Sequence, residues 1–508
     1  MFNEAEQFPT QTPEVESMPE VEQESKEHPP IDDHEHIVDI ESPEIKMAIR
    51  EAKRDFNTFF KRHEYHFDLE RPDAIEKVLE AAEKDKIFEK AQKIRELIFD
   101  KNISVYGVCY LSNKCDQNCK YCPMGQAGYS NWEKRLSIEH FEKMREDLIK
   151  HNEESEELTR QGVLRKETLE SIQKETAGLT KTFDTLKTEK IKELEESKKQ
   201  FKCLSPKETS QDVDALRKVG HQEICLLASE ELWHGEGKAV SSTQDPDEVI
   251  KYTQIALDKP GVKEVILNMV SYSRNTFKYV LDGLKKPEGV GLQHRVFQET
   301  YDREAYEKYH SRSPEGGKID FNKRYNSQIE ALKAGFDEVG IGALFGLSER
   351  PLSEIKQLQI HAREIKEKGG KEPKRCCLPL ANVPEGSELE IDYKIPGMAN
   401  AEKITELIYA LARLAMPTIS IVSSERDGPS MLEKLDKYAN HTTLFVHPKP
   451  GGNIDSLKEL DVEKNGGDNK NVIAQAKTFG RQPKEAIKSW RERGYNVLGF
   501  NEKKYKDK

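Results

Sequence analysis

The sequence predicts an α/β protein built on a TIM-type barrel, full or partial, with N-terminal helices, a helical-hairpin insertion and an acidic disordered N-terminal tail. Three observations lead there. Between about 211 and 450, helical stretches ending near Gly or Pro alternate repeatedly with short apolar runs, the pattern of an α/β barrel or a wound parallel sheet. A Glu- and Lys-rich stretch from 140 to 210 lacks proline over most of its length and keeps a three-and-four apolar spacing. The first 42 residues are acidic and almost free of large apolar side chains. At 508 residues, 35% hydrophobic and 34% charged, with mean hydropathy -0.80, the chain exceeds one ordinary core and must carry solvated helix or disordered segment as well.

Residues 1–42 interleave prolines with Glu4, Glu6, Glu14, Glu16, Asp32 and Asp33, a composition that cannot offset chain entropy by burial. Residues 43–101 read as helices, with Ile75, Val78, Leu79 and Ala82, then Ile87, Phe88, Ala91, Ile94, Leu97 and Ile98, at mixed three and four spacings. The barrel core is expected over 102–350, interrupted by the 140–210 insertion, where Leu158, Leu169, Ile172, Leu179, Phe183, Leu186, Ile191 and Leu194 predict a long hairpin or coiled coil. EICLLAS, VKEVILNMV, GLQHRVFQ and DEVGIGALFG supply strands, each preceded by a helical run. RCCLPLA, TISIVSS and HTTLFVHP continue the series through 351–450. Residues 451–508 form an extension, with short helix and strand candidates at EAIKSWRERG and YNVLGF.

The balance of 80 basic and 92 acidic residues, net -12, argues against a phosphate-backbone binder. No apolar run approaches the ~20 residues that span a bilayer, and the first residues lack a signal-peptide pattern, so a cytoplasmic protein is expected, with no nucleic acid and no membrane as partner. Eight cysteines in such a chain do not form a disulfide framework.

Three of them, Cys115, Cys119 and Cys122, lie in VYGVCYLSNKCDQNCKYCPMG as C-x3-C-x2-C, directly after a strand candidate. Three thiolates on one short loop can wrap one face of a metal centre. Zinc would need a fourth protein ligand, such as Cys109 or a histidine. A [4Fe-4S] cluster held by three cysteines keeps one iron open. With Tyr121 before the last cysteine and a barrel behind it, the loop resembles that of the radical S-adenosylmethionine (SAM) enzymes. The resemblance implies a [4Fe-4S] cluster, SAM as cofactor, and reductive cleavage of SAM to methionine and a 5'-deoxyadenosyl radical.

The blocks FQETYDREAYEKYH (297–310), KIDFNKR (318–324) and AGFDEVGIGALFGL (334–347) resemble the tyrosine lyase family: the 2-iminoacetate synthase of thiamine biosynthesis and the related [FeFe]-hydrogenase maturase. Residues 351–450 look similar to that family's "biotin and thiamin synthesis associated" region, which would complete the barrel. The resemblance implies a carbon–carbon lyase that breaks the Cα–Cβ bond of tyrosine to give 2-iminoacetate (dehydroglycine), served by a reductant such as flavodoxin or ferredoxin. It places Cys115, Cys119 and Cys122 as cluster ligands. Glu299 and Gln298 become catalytic candidates, and Tyr121, Ser229, Glu230, Thr300, His310, Arg324, Gly340 and Gly342 cofactor-binding ones. The 140–210 hairpin is a candidate dock for a protein partner.

Departures from the family bear on the substrate. Ser229 replaces the glycine of a Gly-Glu turn, and Ile329-Glu330-Ala331 stands where relatives have Asp-Arg-Ala. RCCLPLAN stands where relatives carry arginines, leaving Arg324 or Arg375 as replacements. No cysteine follows Cys377, unlike the maturase's C-terminal cluster motif. A carboxylate needs donors, so a weak response to free tyrosine is expected. Two alternatives stand: a radical SAM enzyme of biotin-synthase-like or other cofactor-tailoring type with a different substrate, and a non-catalytic, cluster-bearing scaffold.

Overall fold

The computed structural model describes residues 38–113, 115, 117, 119–198, 203–229, 245–310, 318–381, 395, 400–424, 429–444, 447, 450–454 and 483–501. Residues 1–37 of the acidic tail lie outside the described residues.

Eight parallel strands close into a barrel. They are β1 (Asn102–Ser112), β2 (Glu223–Ala228), β3 (Glu264–Asn268), β4 (Gly291–Arg295), β5 (Glu338–Gly342), β6 (Arg375–Cys377), β7 (Ser420–Ser423) and β8 (His441–Thr443). Each pairs with its successor, and β1 pairs with both β8, at Ser104 opposite His441, and β2, at Val108 opposite Cys225. β2 and β3 read as largely apolar runs because a parallel barrel buries both of their faces. One set of side chains fills the interior, including Tyr106, Cys225, Ile266, Cys377 and Val422, and the other packs under the helices.

Four connecting helices start on a side-chain cap. Ser205 opens α6 (Pro206–Val219) in a reciprocal box with Glu208, Asp245 opens α7 (Pro246–Leu257), Ser273 opens α8 (Arg274–Gly283), and Asp320 opens α10 (Phe321–Ala334). A short α9 (Arg303–His310) lies between β4 and α10, and Gly335, at φ 114°, lets the chain leave α10 for β5. Further helices α11 (Pro351–Gly369), α12 (Ala401–Ala415) and α13 (Pro429–Leu435) precede β6, β7 and β8, and α11 and α12 lack a side-chain cap.

The N-terminal helices are α1 (Pro43–His63), α2 (Pro72–Lys84) and α3 (Ile87–Phe99), and α1 and α3 pack against α12. Buried Arg95 on α3 donates to the carbonyls of Ala439 (3.2 Å) and Asn102 (2.8 Å), tying these helices to the starts of β8 and β1. The insertion is an antiparallel pair, α4 (Pro123–Arg160) and α5 (Lys166–Lys198), joined by the Phe141–Phe183 ring contact and the Arg145–Asp184 and Lys187–Glu142 ion pairs. Leu158, Leu179, Leu186 and Ile191 remain more than a third exposed, so part of its apolar stripe faces solvent. No helix among the described residues is long and apolar enough to cross a membrane.

At the end of the described chain, α14 (Pro483–Glu492) buries Trp490, whose Nε1 donates to Asp436 (2.9 Å). It leads into β9 (Asn496–Leu498), which pairs parallel with the first residues of β1 at the N-terminal rim of the barrel.

At that rim the interior is ionic rather than apolar. Arg375, fully buried, donates from Nη1 and Nη2 to the two carboxylate oxygens of Glu264, each at 2.9 Å, and from Nη2 to Glu223 at 2.8 Å. Lys374 adds a contact to Glu264 at 3.1 Å.

Candidate active site at the barrel mouth

The cysteine loop leaves the C-terminal end of β1, the face on which barrel enzymes build their sites. Cys115 and Cys119 are buried and Cys122 is half-buried. The Cys122 N–H donates to the Cys119 carbonyl at 2.9 Å, and Pro123 then starts α4, with Cys122 as its N-cap residue. Burial, with the neighbouring Cys119 and Cys122, pushes the Cys115 thiol well up, which only Gln117 and Lys318 oppose. Buried thiols on one loop gain from a cationic centre that takes them as thiolates.

The donor set decides between zinc and a cluster. Cys109 faces away, toward Asp212 in the layer beneath the helices. His310 has both ring nitrogens engaged: Nδ1 donates to the Tyr306 carbonyl (2.7 Å), so Nε2 accepts from the Tyr121 hydroxyl (3.0 Å). Zn–S bonds of about 2.3 Å would draw ligand sulfurs to within about 4 Å of one another. Among the described residues, the only three His, Cys, Asp or Glu ligand atoms all within 4.8 Å of one another belong to Asp68, Glu70 and Glu349. The three cysteine sulfurs are spread more widely than one zinc ion needs. A multi-iron centre would take the three thiols as its protein ligands.

Tyr121 lies edge-on to the His310 ring, with centroids 5.5 Å apart. Burial, reinforced by Lys318, pushes His310 down to about 3, so the imidazole is neutral and fixes the Tyr121 hydroxyl. Gln117 is fully buried; its Oε1 accepts from the Lys318 N–H at 3.0 Å, while Nε2 meets no partner among the described residues.

Opposite the loop, the chain leaves β4 through Gln298, Glu299 and Thr300. Glu299 adopts φ 70°, a left-handed backbone rare outside glycine, held by pairing with Ala343 and by its carbonyl accepting from Leu344 N–H (2.6 Å). Burial alone would push its carboxyl up. Lys318 Nζ (2.8 Å) and Arg324 Nη2 (3.2 Å) reverse this and hold it down at about 2. Gln298 Nε2 donates to the Phe321 carbonyl at 3.3 Å, and its buried Oε1 has no donor among the described residues. Thr300 turns away from the mouth, its hydroxyl donating to Glu354 at 2.9 Å.

Glu354, on α11, also accepts from the N–H groups of Tyr301 and Asp302 and anchors the loop from below. Burial raises its carboxyl to about 7. The folded protein then holds this proton more tightly than the unfolded chain. Its stability is expected to be greatest below about 4.5 and to fall by about 3 kcal/mol as pH rises to 7. Denaturant titrations of wild type and Glu354→Gln across that range test this: the substitution should remove the slope, and an identical slope in the variant would refute the assignment.

The other sequence-predicted positions fall around the same mouth. Ser229 follows β2 and donates its N–H to the Ser112 carbonyl (3.0 Å), bringing that turn beside the end of β1. Glu230 lies outside the described residues. Gly340 and Gly342 are interior positions on β5; a Cβ at Gly340 would lie 2.7 Å from Arg295 Cγ, and one at Gly342 2.6 Å from the Phe297 ring. Arg375 points to the opposite rim, where Glu264 and Glu223 neutralise it. Sequence reasoning missed Gln117, Lys318, Glu354 and Arg295. Arg295 did leave a signal, as a charge in GLQHRVFQ on the inward alternation with Gln293 and Phe297.

No protein-family profile matches the chain. The 2-iminoacetate synthases of Escherichia coli (strain K12) and Salmonella typhimurium (strain LT2) are each 26% identical to it over 167 residues, 33% of this chain and 42% of theirs. The match therefore spans less than half the length of these curated relatives. Among solved structures, HydG, a maturase of the [FeFe]-hydrogenase, superposes with TM-score 0.54 at 19% identity, covering 92% of this chain and 82% of that one. HydG from Carboxydothermus hydrogenoformans gives 0.55 at 18%, covering 89% and 84%. Methylornithine synthase (PylB) gives 0.50 at 16%, covering 83% and 90%. At these identities the structural likeness speaks for the fold. In its barrel, and over a third of its sequence, the chain is similar to the radical SAM tyrosine-lyase group that its cysteine loop and Gln-Glu-Thr block resemble.

Proposed function

We propose that this chain is a radical SAM enzyme holding a [4Fe-4S] cluster on Cys115, Cys119 and Cys122, and that its reaction is an aromatic amino-acid Cα–Cβ cleavage giving 2-iminoacetate from tyrosine. The observation that carries the reading is the three-thiol loop at the C-terminal end of β1, facing the buried Gln298–Glu299 corner of β4. When bound, the cluster supplies the electron that cleaves SAM to methionine and an adenosyl radical. The protein's part is positioning and exclusion of water.

Tyr121, fixed by neutral His310, packs beside the cysteines and limits solvent there. Lys318 and Arg324 favour the ionised form of Glu299, which suits a fixed acceptor rather than a proton donor. Gln298 Oε1 and Gln117 Nε2 are an open acceptor and an open donor for bound ligand among the described residues. Arg324, packed on Glu299 and the Phe297 carbonyl, sets the direction of that carboxylate. The electron donor is a small reductant protein of flavodoxin or ferredoxin type.

Anaerobic reconstitution followed by assay of 5'-deoxyadenosine, with and without tyrosine, tests the proposal. Tyrosine-dependent p-cresol supports the lyase, and no SAM cleavage by a cluster-loaded protein refutes it.

Among the described side chains, the hairpin supplies none to this corner. Removing 146–183, between the ion-paired Arg145 and Asp184, and joining the stubs with a short Gly-Ser linker should leave SAM cleavage within about threefold of wild type, because long surface excursions cost little closure entropy. A wider cut reaching 205 would remove Leu204, which is buried and donates its N–H to the Leu111 carbonyl beside the cysteine loop. Loss of cleavage by a folded 146–183 deletion would make the hairpin part of the site.

A further inference from the structure

Arg295 ends β4 with its side chain inside the barrel, 1% exposed. Its guanidinium carbon lies 4.5 Å from the centre of the Tyr106 ring, and Nη2 reaches Cys225 Sγ at 3.4 Å. Both partners are weak: an aromatic face offers no acceptor atom and a thiol is a poor one. Nε and Nη1 are buried and meet no acceptor among the described residues. The ionisable groups around it include Tyr106, Cys377, Cys225 and Arg375, and His441, stacked on Tyr106, which burial and these cations push down. None of these is an anion at neutral pH: burial pushes the two thiols and the phenol up, and Arg375 is a second cation.

Lys318 and Arg324 at the mouth share Glu299, and Arg375 and Lys374 at the far rim share Glu264. Arg295 stands between these paired sets without an anion among the described residues. A buried charge is tolerable only when paired or well hydrogen-bonded. The fold makes room for it nonetheless, because any residue but glycine at 340 would collide with its Cγ and Cδ, at 2.7 and 2.9 Å. Three residues further along the chain, Gln298 Oε1 is a buried acceptor awaiting a donor. The interior thus offers donors for an anion at one level and an acceptor for a cationic or hydroxylic group above it.

We propose that Arg295 receives the carboxylate of the substrate in the barrel interior, which makes the substrate a small organic acid and not its neutral amide. The proposal rests on reading the barrel mouth as the reaction site. It also reverses the weak response to free tyrosine expected from sequence, which counted only Arg324 and Arg375 as available cations.

The test uses the full-length, cluster-loaded protein as wild type, Arg295→Met and Arg295→Lys, with L-tyrosine and L-tyrosinamide as probes. Thermal midpoints are measured without reductant, and KM and kcat for probe-stimulated 5'-deoxyadenosine formation with it. Tyrosine should raise the wild-type midpoint and tyrosinamide should not. Arg295→Met should lose the tyrosine shift and raise KM for tyrosine tenfold or more, with a smaller change in kcat; Arg295→Lys, which keeps the charge, should fall between. Equal responses to tyrosine and tyrosinamide in wild type, or an unaltered tyrosine shift in a folded Arg295→Met, would overturn the proposal. A wild type with an Arg295-dependent tyrosine shift but no SAM cleavage would uphold the carboxylate site while removing the lyase reading.

Discussion

Cys119→Ala should abolish the visible iron–sulfur absorbance of reconstituted protein and reduce SAM cleavage to background. The effect is all-or-none because no described neighbour offers a spare ligand: Cys109 is turned under the helices toward Asp212, and His310 is bonded at both nitrogens. A cluster bound through two thiolates would lack a third of its protein attachment. Circular dichroism should show the fold unchanged, since Cys119 sits in a small cluster outside the main core. The paired control is Cys109→Ala, which should keep both absorbance and cleavage. If Cys119→Ala retained them and Cys109→Ala lost them, the three-cysteine site would be wrong.

Arg375→Met should be the most destabilising single change in the barrel, lowering unfolding free energy by about 3–5 kcal/mol. The loss comes less from the broken pairs than from what stays behind, the buried Glu264 carboxylate with only Lys374 and the half-buried Glu223 beside it without a guanidinium. Burial alone would push the Glu264 carboxyl up, whereas Arg375 and Lys374 hold it at about 2. That contribution is present above about 4.5 and is lost as pH falls toward 2, the opposite slope to Glu354. Urea titrations should show that adding Glu264→Gln and Glu223→Gln to Arg375→Met restores much of the stability. A single variant as stable as wild type would remove the pairing from the account.

Much of this was legible in the sequence because its signals are local. The alternation of helix and apolar run, the stop at Gly335, and the spacing of Cys115, Cys119 and Cys122 each depend on a few adjacent residues. The hairpin declared itself through Phe183 and its three-and-four neighbours. What stayed hidden depends on which distant side chains meet. RCCLPLAN gives no hint that Arg375 faces the rim away from the cysteines, because a three-residue strand does not reveal which end of a barrel its first residue occupies. Glu354 reads as an ordinary helical glutamate until the loop after β4 folds onto it. Arg295 was visible as an inward charge, but its lack of an anion is a fact about the neighbours, Tyr106, Cys225 and Cys377, on three other strands.

The pairing of β9 with β1 has a consequence for synthesis. Asn102 and Asn496, bonded side chain to side chain at 3.3 Å, are 394 residues apart. The first barrel strand to leave the ribosome is therefore among the last to be completed. At roughly 5–20 residues per second, its lower edge, Asn102 to Ser104, waits tens of seconds or more for its partner. Contacts of such long sequence separation slow folding and leave an open strand edge available to other chains in the meantime. Truncation before Pro483 would make that waiting state permanent, and aggregation of the nascent or shortened protein would begin at β1, the same strand that delivers the cysteine loop.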